Sequence, residues 1–306
     1  MPSVPFQKKS IKSLRVSEAL AAYGFISPWV VGFIVFAGGP IIASMVLSFF
    51  SWKMITPPKF TGLGNYITMF SADVLFRKSI GVTATYVFVA VPLSLILALL
   101  LAVLLNQNVR FSNFWRTAFY VPAVISGVAG AVLWRWMYHN ELGVINALLG
   151  MIGITGPRWL YDKDTALLSL IIMRLWNVGV PMVIFLAALQ GMPKLLYEAA
   201  EIDGAGEFAK FFYITLPLLT PVIFFNLIID IVGSIQTFAE PYLMTAGGPQ
   251  NTTLFFGLYL YMSAFSYMKM GYASAMAWIM FVIILSLTAV QFRVAKRWVY
   301  YDGTDG

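Results

Sequence analysis

Long stretches without any ionisable side chain dominate this chain. Leu93–Leu105 and Ile279–Val290 contain none, and both lengthen when the flanking Gly, Ser and Thr residues are included. A run of about 20 apolar residues is the length a helix needs to cross a bilayer. Only 11% of the residues are charged, against roughly 25% in soluble domains. We therefore predict an all-α integral membrane protein, because β-barrel strands are about 10 residues long and alternate polar with apolar side chains.

Six apolar segments are predicted to span the membrane. The first carries Pro28 and the sequence Gly38-Gly39-Pro40, which predicts a kink or break near its outer end. It is too long for the apolar part of a signal peptide, so we interpret it as an uncleaved span. The six segments are 19–50, 80–105, 115–137, 165–190, 214–240 and 270–292.

Basic residues predict the orientation of these spans. With both termini in the cytoplasm, the inner segments hold 11 Lys and Arg residues and the outer segments hold seven. Positive charge is usually in excess on the cytoplasmic side. The prediction is a cytoplasmic basic tail over 1–18, which includes Lys8 and Lys9, a transmembrane domain over 19–292 and a cytoplasmic tail over 293–306. Because the basic residues lie at the ends of apolar runs, the net charge of +7 does not indicate nucleic-acid binding.

Several kinds of site are absent from the sequence. There is no Cys and a single His, His139, at an expected membrane boundary, so no metal site is predicted. No pair of acid and base groups indicates catalysis, and the chain is predicted not to be an enzyme. The phosphate-binding pattern G-x-x-x-x-G-K-[ST] does not occur. Any ATP hydrolysis must therefore take place in another subunit.

The segment 191–213 lies between the fourth and fifth predicted spans and faces the cytoplasm in this orientation. Gly191 and Pro193 end one helix, and Leu195 to Ile202 predict a short second helix. A glycine after this helix suits the left-handed backbone of a helix stop. Small and acidic residues give the segment a surface that fits a groove in a partner protein, and an ordinary connecting loop is the alternative. These residues are Glu198, Ala199, Ala200, Glu201, Asp203, Gly204 and Ala205.

This segment resembles the EAA loop of binding-protein-dependent ABC importer permeases. The family pattern is E-A-A, two residues, D-G-A, then a hydrophobic stretch and I-x-L-P, and every position is present from Glu198 to Pro217. The resemblance implies the type I ABC importer permease fold, with six helices and both termini cytoplasmic. It also implies that the segment docks on an ATP-binding subunit through Glu198, Ala199, Ala200, Asp203, Gly204 and Ala205.

The same resemblance implies an assembly in the bacterial cytoplasmic membrane. The expected partners are a second permease subunit that forms a heterodimer with this chain, two ATP-binding subunits and an extracytoplasmic solute-binding protein. ATP and Mg²⁺ would be used by the ATP-binding subunits, and no cofactor is expected on this chain.

Other stretches resemble the sugar permeases related to the maltose-type importer. Among them are Phe60-Thr61-Gly62-Leu63 and the outer sequence Thr245-Ala246-Gly247-Gly248-Pro249, which is similar to the first permease of a heterodimeric pair. The resemblance covers roughly 20–295, although the large outer domain of some relatives is missing. It implies import of a sugar or oligosaccharide by alternating access.

Two ionisable residues lie well inside predicted spans, away from the span ends. Arg174 and Asp230 have comparable depths on adjacent segments, so they form either a structural ion pair or part of a polar path for sugar. The spacing of Asp230, Ser234 and Thr237 predicts one helical face. Positions counted from the EAA pattern in the resembled family fall on or near several of these residues. The candidate path residues are Ser126, Arg174, Asn177, Asp230, Ser234 and Thr237.

Two alternatives stay open for the function. A self-contained secondary transporter or channel would often show two corresponding halves with broken helices, and no such halves are visible in the sequence. An ABC permease for a non-sugar solute, such as glycerol phosphate, would carry the same loop pattern.

Overall fold

The computed structural model describes residues 11–107 and 110–300, and within this part the chain is almost entirely helical. Residues 1–10, with Lys8 and Lys9, and residues 301–306 lie outside the described residues. Four helical stretches in the described part are long and apolar enough to cross a membrane, and the number rises to six if each of two bent helix pairs is one span. The four are Glu18–Leu47, Val74–Asn106, Glu207–Met244 and Met270–Ala295.

The first apolar segment stays helical up to Leu47. The predicted kink or break takes the form of a π-helical turn at Ile34–Gly38, directly before Pro40. A π turn absorbs an extra residue without ending the helix, which is why the Gly-Gly-Pro sequence does not interrupt this span. The elements are α1 (Ile11–Phe33), α2 (Gly39–Leu47), the antiparallel pair β1 (Phe50–Ser51) and β2 (Lys59–Phe60), and α3 (Gly64–Ser71).

Helix α4 (Val74–Asn106) is the longest and forms the axis of the bundle. The third and fourth predicted spans, in contrast, are each built from two helices. The third bends by 101° between α5 (Ser112–Val124) and α6 (Gly127–Met137). The short α7 (Val144–Met151) follows. The fourth bends by 42° between α8 (Ala166–Trp176) and α9 (Gly179–Gln190).

The second half of the chain contains two further π-helical turns, at Phe211–Thr215 and Met262–Ser266. The first leads from the segment 191–213 into the fifth span, and the second lies shortly before the last span. The helices are α10 (Lys194–Ile202), α11 (Glu207–Lys210), α12 (Leu216–Ile235), α13 (Ala239–Met244), α14 (Phe256–Tyr261) and α15 (Met270–Ala295).

Two apolar cores lie along α4, which packs against α8, α9, α12 and α14. The first half of α4 contributes Phe76 and Tyr86 to one core, and the second half contributes Leu95 and Ala102 to the other. In contrast, none of the apolar window of Glu18–Leu47 is buried within the chain. That surface is suited to lipid or to another subunit.

Candidate functional site

Three helix interruptions meet at one polar cavity within the apolar bundle. They lie between α5 and α6 at Ile125 and Ser126, between α8 and α9 at Asn177, and between α12 and α13 at Thr237. The cavity has a volume of about 60 Å³. Irregular backbone at membrane depth is tolerated where it lines a cavity. Its polar lining residues are Tyr86, Ser126, Arg174, Asn177, Thr237 and Glu240.

Ser126 is the N-cap of α6, at the point where the chain turns. Its Oγ accepts a hydrogen bond of 3.3 Å from the N–H of Ala129, which satisfies one of the free amides at the start of the helix. Pro122, one turn earlier, lies in the last turn of α5. Ser126 therefore caps α6, and it also lines the cavity at the bend.

Arg174 and Asp230 form an ion pair inside the bundle. The guanidinium Nη2 donates to Oδ1 of Asp230, and Ser94 on α4 donates to Oδ2 at 2.7 Å. The side chain of Asp230 is 13% exposed and that of Arg174 is 30% exposed. Asp230 is therefore engaged by both partners, whereas Arg174 also lines the cavity. The ion pair that the sequence left open is formed.

The remaining candidate path residues take different positions. Asn177 and Thr237 line the cavity, each at a helix interruption. Ser234 is buried, does not line the cavity, and its Oγ has no hydrogen-bond partner within the described residues. Thr237 lies two residues after the end of α12 at Ile235, and of the three residues whose spacing predicts one face only Thr237 lines the cavity.

Glu240 is a lining residue that the sequence did not single out. It lies in the first turn of α13, and its Oε1 is 3.8 Å from the position a Cβ on Gly127 would occupy. Its acidic side chain was a usable signal, but its position at the end of a predicted span suggested a membrane boundary. The packing of α13 against α6 brings it to the cavity instead.

Gly179 allows the fourth span to reach the third. A Cβ at this position would lie 2.4 Å from the carbonyl oxygen of Phe119 and 2.8 Å from Cα of Tyr120. Both atoms belong to the backbone and have little room to move. A glycine is therefore required where α9 begins against α5.

The segment 191–213 contains the predicted short helix and turn. Helix α10 covers Lys194–Ile202, and Gly204 follows with φ of +77°. The N–H of Ala205 donates to the carbonyl of Ala200 at 2.8 Å, which closes the end of the helix. The glycine thus takes the left-handed conformation that the sequence predicts.

Two polar contacts join this segment to the fifth span. The hydroxyl oxygens of Tyr197 and Thr215 are 2.9 Å apart. The ammonium group of Lys210, whose side chain is only 8% exposed, contacts Glu201 at 2.8 Å and Glu207 at 2.6 Å. Lys210 therefore holds α10 and the residues after the turn together immediately before α12 begins.

Several large apolar side chains of the segment are highly exposed. Leu195 is 74% exposed, Ile202 is 87% exposed and Phe208 is 84% exposed. Large apolar side chains clustered on an exposed surface mark sites of protein or membrane contact. Because acidic residues are interspersed among them, we regard this surface as suited to a protein partner.

The sequence matches the family described as "Binding-protein-dependent transport system inner membrane component" over residues 64–300. The chain belongs to this family. It is thus a multi-pass transport subunit of the inner membrane, and the predicted class is confirmed.

The similar proteins are ABC transporter permeases. The chain is 44% identical over 301 residues to the probable ABC transporter permease protein YesP of Bacillus subtilis, covering 97% of each chain. It is 36% identical over 295 residues to the lactose transport system permease protein LacF of Rhizobium radiobacter, covering 94% of this chain and 98% of that one. It is 32% identical over 290 residues to the arabinooligosaccharides transport system permease protein AraP of B. subtilis, covering 93% and 91% of the two chains.

A solved structure has the same fold. A chain of a bacterial alginate ABC transporter, in complex with an alginate pentasaccharide-bound periplasmic protein, superimposes with a TM-score of 0.81. The alignment covers 92% of this chain and 96% of that chain at 22% sequence identity. The fold of this permease is therefore that of an ABC transporter subunit.

Proposed function

We propose that this chain is one of two permease subunits of an ATP-driven importer that moves a sugar or oligosaccharide into the cytoplasm. The exposed apolar and acidic surface of 191–213, rigidly joined to the fifth span, is the observation that carries the proposal. The chain lacks a nucleotide-binding motif of its own. A transport subunit of this kind needs separate ATP-hydrolysing subunits and a surface on which they dock.

In the proposed topology each bent helix pair crosses the membrane once, which makes six spans with both termini in the cytoplasm. The segment 191–213 then lies on the cytoplasmic side, where two ATP-binding subunits use ATP and Mg²⁺. Contacts to one of these subunits come from Glu198, Ala199, Ala200, Asp203, Gly204 and Ala205. Movement of α10 is transmitted to α12 through Tyr197–Thr215 and through the Lys210 ion pairs.

A saccharide is the substrate class that the chemistry of the cavity lining favours. Sugar hydroxyls both donate and accept hydrogen bonds, and the lining offers a guanidinium, an amide, hydroxyls and a carboxylate. Trp176 adds an aromatic wall against which a sugar ring could pack. The names of LacF and AraP, which indicate lactose and arabino-oligosaccharide transport, support the same class.

The proposed path runs along the cavity at the three helix interruptions. Ser126, Asn177 and Thr237 each lie at one interruption, and Arg174 lines the wall beside Asn177. A second permease subunit completes the path, and a solute-binding protein delivers the sugar from outside. Alternating access requires the subunits to rock around this site, and interrupted helices provide its polar backbone groups.

Reconstitution in liposomes tests the proposal. The chain is purified with the proposed partner permease, ATP-binding and solute-binding subunits, and uptake of radiolabelled lactose, maltose and arabinotriose is measured with and without ATP. We expect ATP-dependent uptake of at least one saccharide and none by the chain alone. Uptake by the chain alone would instead indicate a self-contained transporter, and ATP-dependent uptake of glycerol phosphate only would contradict the sugar assignment.

A further inference from the structure

Glu240 is a carboxylate without a protein partner in the described part of the chain. Its side chain is half-buried, lines the cavity and takes part in none of the hydrogen bonds or ion pairs found among the described residues. Removing a charged group from water is costly unless another group binds it. A carboxylate in this position is therefore suited to accept hydrogen bonds from a bound molecule.

Arg174 lies on another wall of the same cavity and is also incompletely used. Of its guanidinium nitrogens, only Nη2 donates a hydrogen bond within the described residues, and that bond goes to Asp230. Arginine presents five N–H donors in a rigid plane. Because the side chain is 30% exposed and lines the cavity, donors on its other edge are free for a ligand.

Gly127 lies close to the carboxylate of Glu240. It is the first residue of α6, and Oε1 of Glu240 is 3.8 Å from the position of its missing Cβ. The start of a helix also favours a nearby negative charge. The carboxylate therefore lies at the cavity, beside the first residue of α6.

We propose that Glu240 and Arg174 bind hydroxyl groups of the transported saccharide together, with Glu240 as acceptor and Arg174 as donor. The inference rests on the proposed function and assigns the two residues that determine which saccharide is transported. Asp230 does not contact the sugar. It is a positioning residue that, together with Ser94, fixes the orientation of the Arg174 guanidinium.

The arrangement predicts discrimination between saccharides that differ by one hydroxyl group. A site built to hydrogen-bond a hydroxyl binds an analogue without that hydroxyl much more weakly, because the buried polar groups of the site lose their partner. Replacing the carboxylate by an amide should weaken this preference, since an amide forms a weaker bond with a hydroxyl donor than a charged group does.

The test compares uptake of a saccharide and its monodeoxy analogues by the reconstituted transporter. The saccharide is the one of lactose, maltose and arabinotriose that the wild-type complex imports fastest. The variants are Glu240→Gln, Arg174→Gln and Asp230→Asn, with Glu141→Gln as control, since Glu141 is exposed and lies outside the cavity. The amount of complex in the membrane is measured for each variant.

We expect Glu240→Gln to reduce the preference for the saccharide over at least one analogue by about tenfold, with Glu141→Gln unchanged. Asp230→Asn should reduce the preference for the saccharide over the analogue when Arg174 is present. In an Arg174→Gln background it should cause no further reduction of that preference. A purely structural role would slow uptake of all sugars equally, so an unchanged preference in Glu240→Gln overturns the inference but not the proposed function. If the wild-type complex imports no saccharide, both are overturned.

Discussion

Tyr197 on α10 and Thr215 at the start of the fifth span share a hydrogen bond between hydroxyl oxygens 2.9 Å apart. The Tyr197 hydroxyl also donates to Sδ of Met192 at 3.0 Å. One side chain thus contacts the residues before and after the proposed docking helix. Any displacement of α10 by a partner has a direct polar connection to α12.

Removing this hydroxyl should weaken coupling. We expect Tyr197→Phe to lower the number of sugar molecules transported per ATP hydrolysed by about two- to tenfold, since a hydrogen bond contributes about 0.5–1.5 kcal/mol. The measurement is the ratio of uptake to phosphate release in liposomes. Tyr213→Phe is the control, because Tyr213 is 83% exposed and its hydroxyl has no bond within the described residues. Equal ratios in both variants would argue against a role for the Tyr197 bond.

Gly204 should be required for its backbone conformation rather than for space. Nothing lies within 4 Å of a Cβ added there, but its φ of +77° is unfavourable for other residues. We expect Gly204→Val to shift the end of α10 and to reduce ATP-driven uptake at normal membrane levels, because a left-handed residue costs about 1–2 kcal/mol. Gly206→Ala is the control, since Gly206 has an ordinary φ and equally open space around it. If both variants transport normally, the turn is not needed for docking.

The prediction for Gly179 concerns packing. Gly179→Ala would place a methyl group 2.4 Å from the backbone oxygen of Phe119 and force α9 away from α5. We expect destabilisation of about 1–3 kcal/mol, which thermal unfolding of the detergent-purified protein would reveal as a lower unfolding temperature. Gly233→Ala, within α12 and with nothing inside 4 Å, should be neutral or slightly stabilising. A neutral Gly179→Ala would show that the two helices are not in close contact.

Asp73 joins three parts of one end of the bundle. It caps α4 through the N–H of Phe76 at 2.9 Å and accepts hydrogen bonds from the hydroxyls of Tyr259 and Tyr272 at 2.6 and 2.5 Å. Burial raises the pKa of Asp73, but these hydrogen bonds together outweigh burial and hold the pKa below its ordinary 3.8. The ionised carboxylate is therefore the form that the fold binds.

The lowered pKa of the Asp73 carboxyl in the folded protein determines how stability changes with pH. The contribution of Asp73 to stability is fully present above the ordinary pKa of 3.8 and is lost as the pH falls through the lower folded value. We expect Asp73→Asn to lower stability by about 1–3 kcal/mol at pH 7. The difference in unfolding temperature from wild type should be constant from pH 8 to 5 and should shrink below 3.8. Asp164→Asn serves as control, and a difference that grows in acid would contradict the assignment.

Local sequence was sufficient for the segment 191–213. The predicted helix Leu195–Ile202 differs from α10 by one residue, and the left-handed Gly204 is present. Both follow from interactions within a few residues. The depths of Arg174 and Asp230, counted along their helices, made an ion pair one of two alternatives, and the structure contains that pair.

Tertiary packing determined what the sequence did not predict. Apolar composition indicates that a segment lies in lipid but not its direction, so the 101° bend at Ser126 is not visible in the apolar pattern. The packing of α13 on α6, after α12 ends at Ile235, brings Glu240 to the cavity. These placements depend on residues more than 50 positions apart in the chain.

The sidedness of the segment 191–213 is the central claim, and thiol labelling tests it directly because the chain contains no cysteine. Ile202→Cys and Leu142→Cys place single thiols at residues that are 87% and 74% exposed. A membrane-impermeant maleimide is applied to intact and permeabilised cells that express the chain alone or with its ATP-binding subunits. The account predicts that Leu142→Cys reacts in intact cells, that Ile202→Cys reacts only after permeabilisation, and that the ATP-binding subunits then protect it. Labelling of Ile202→Cys in intact cells would contradict the account.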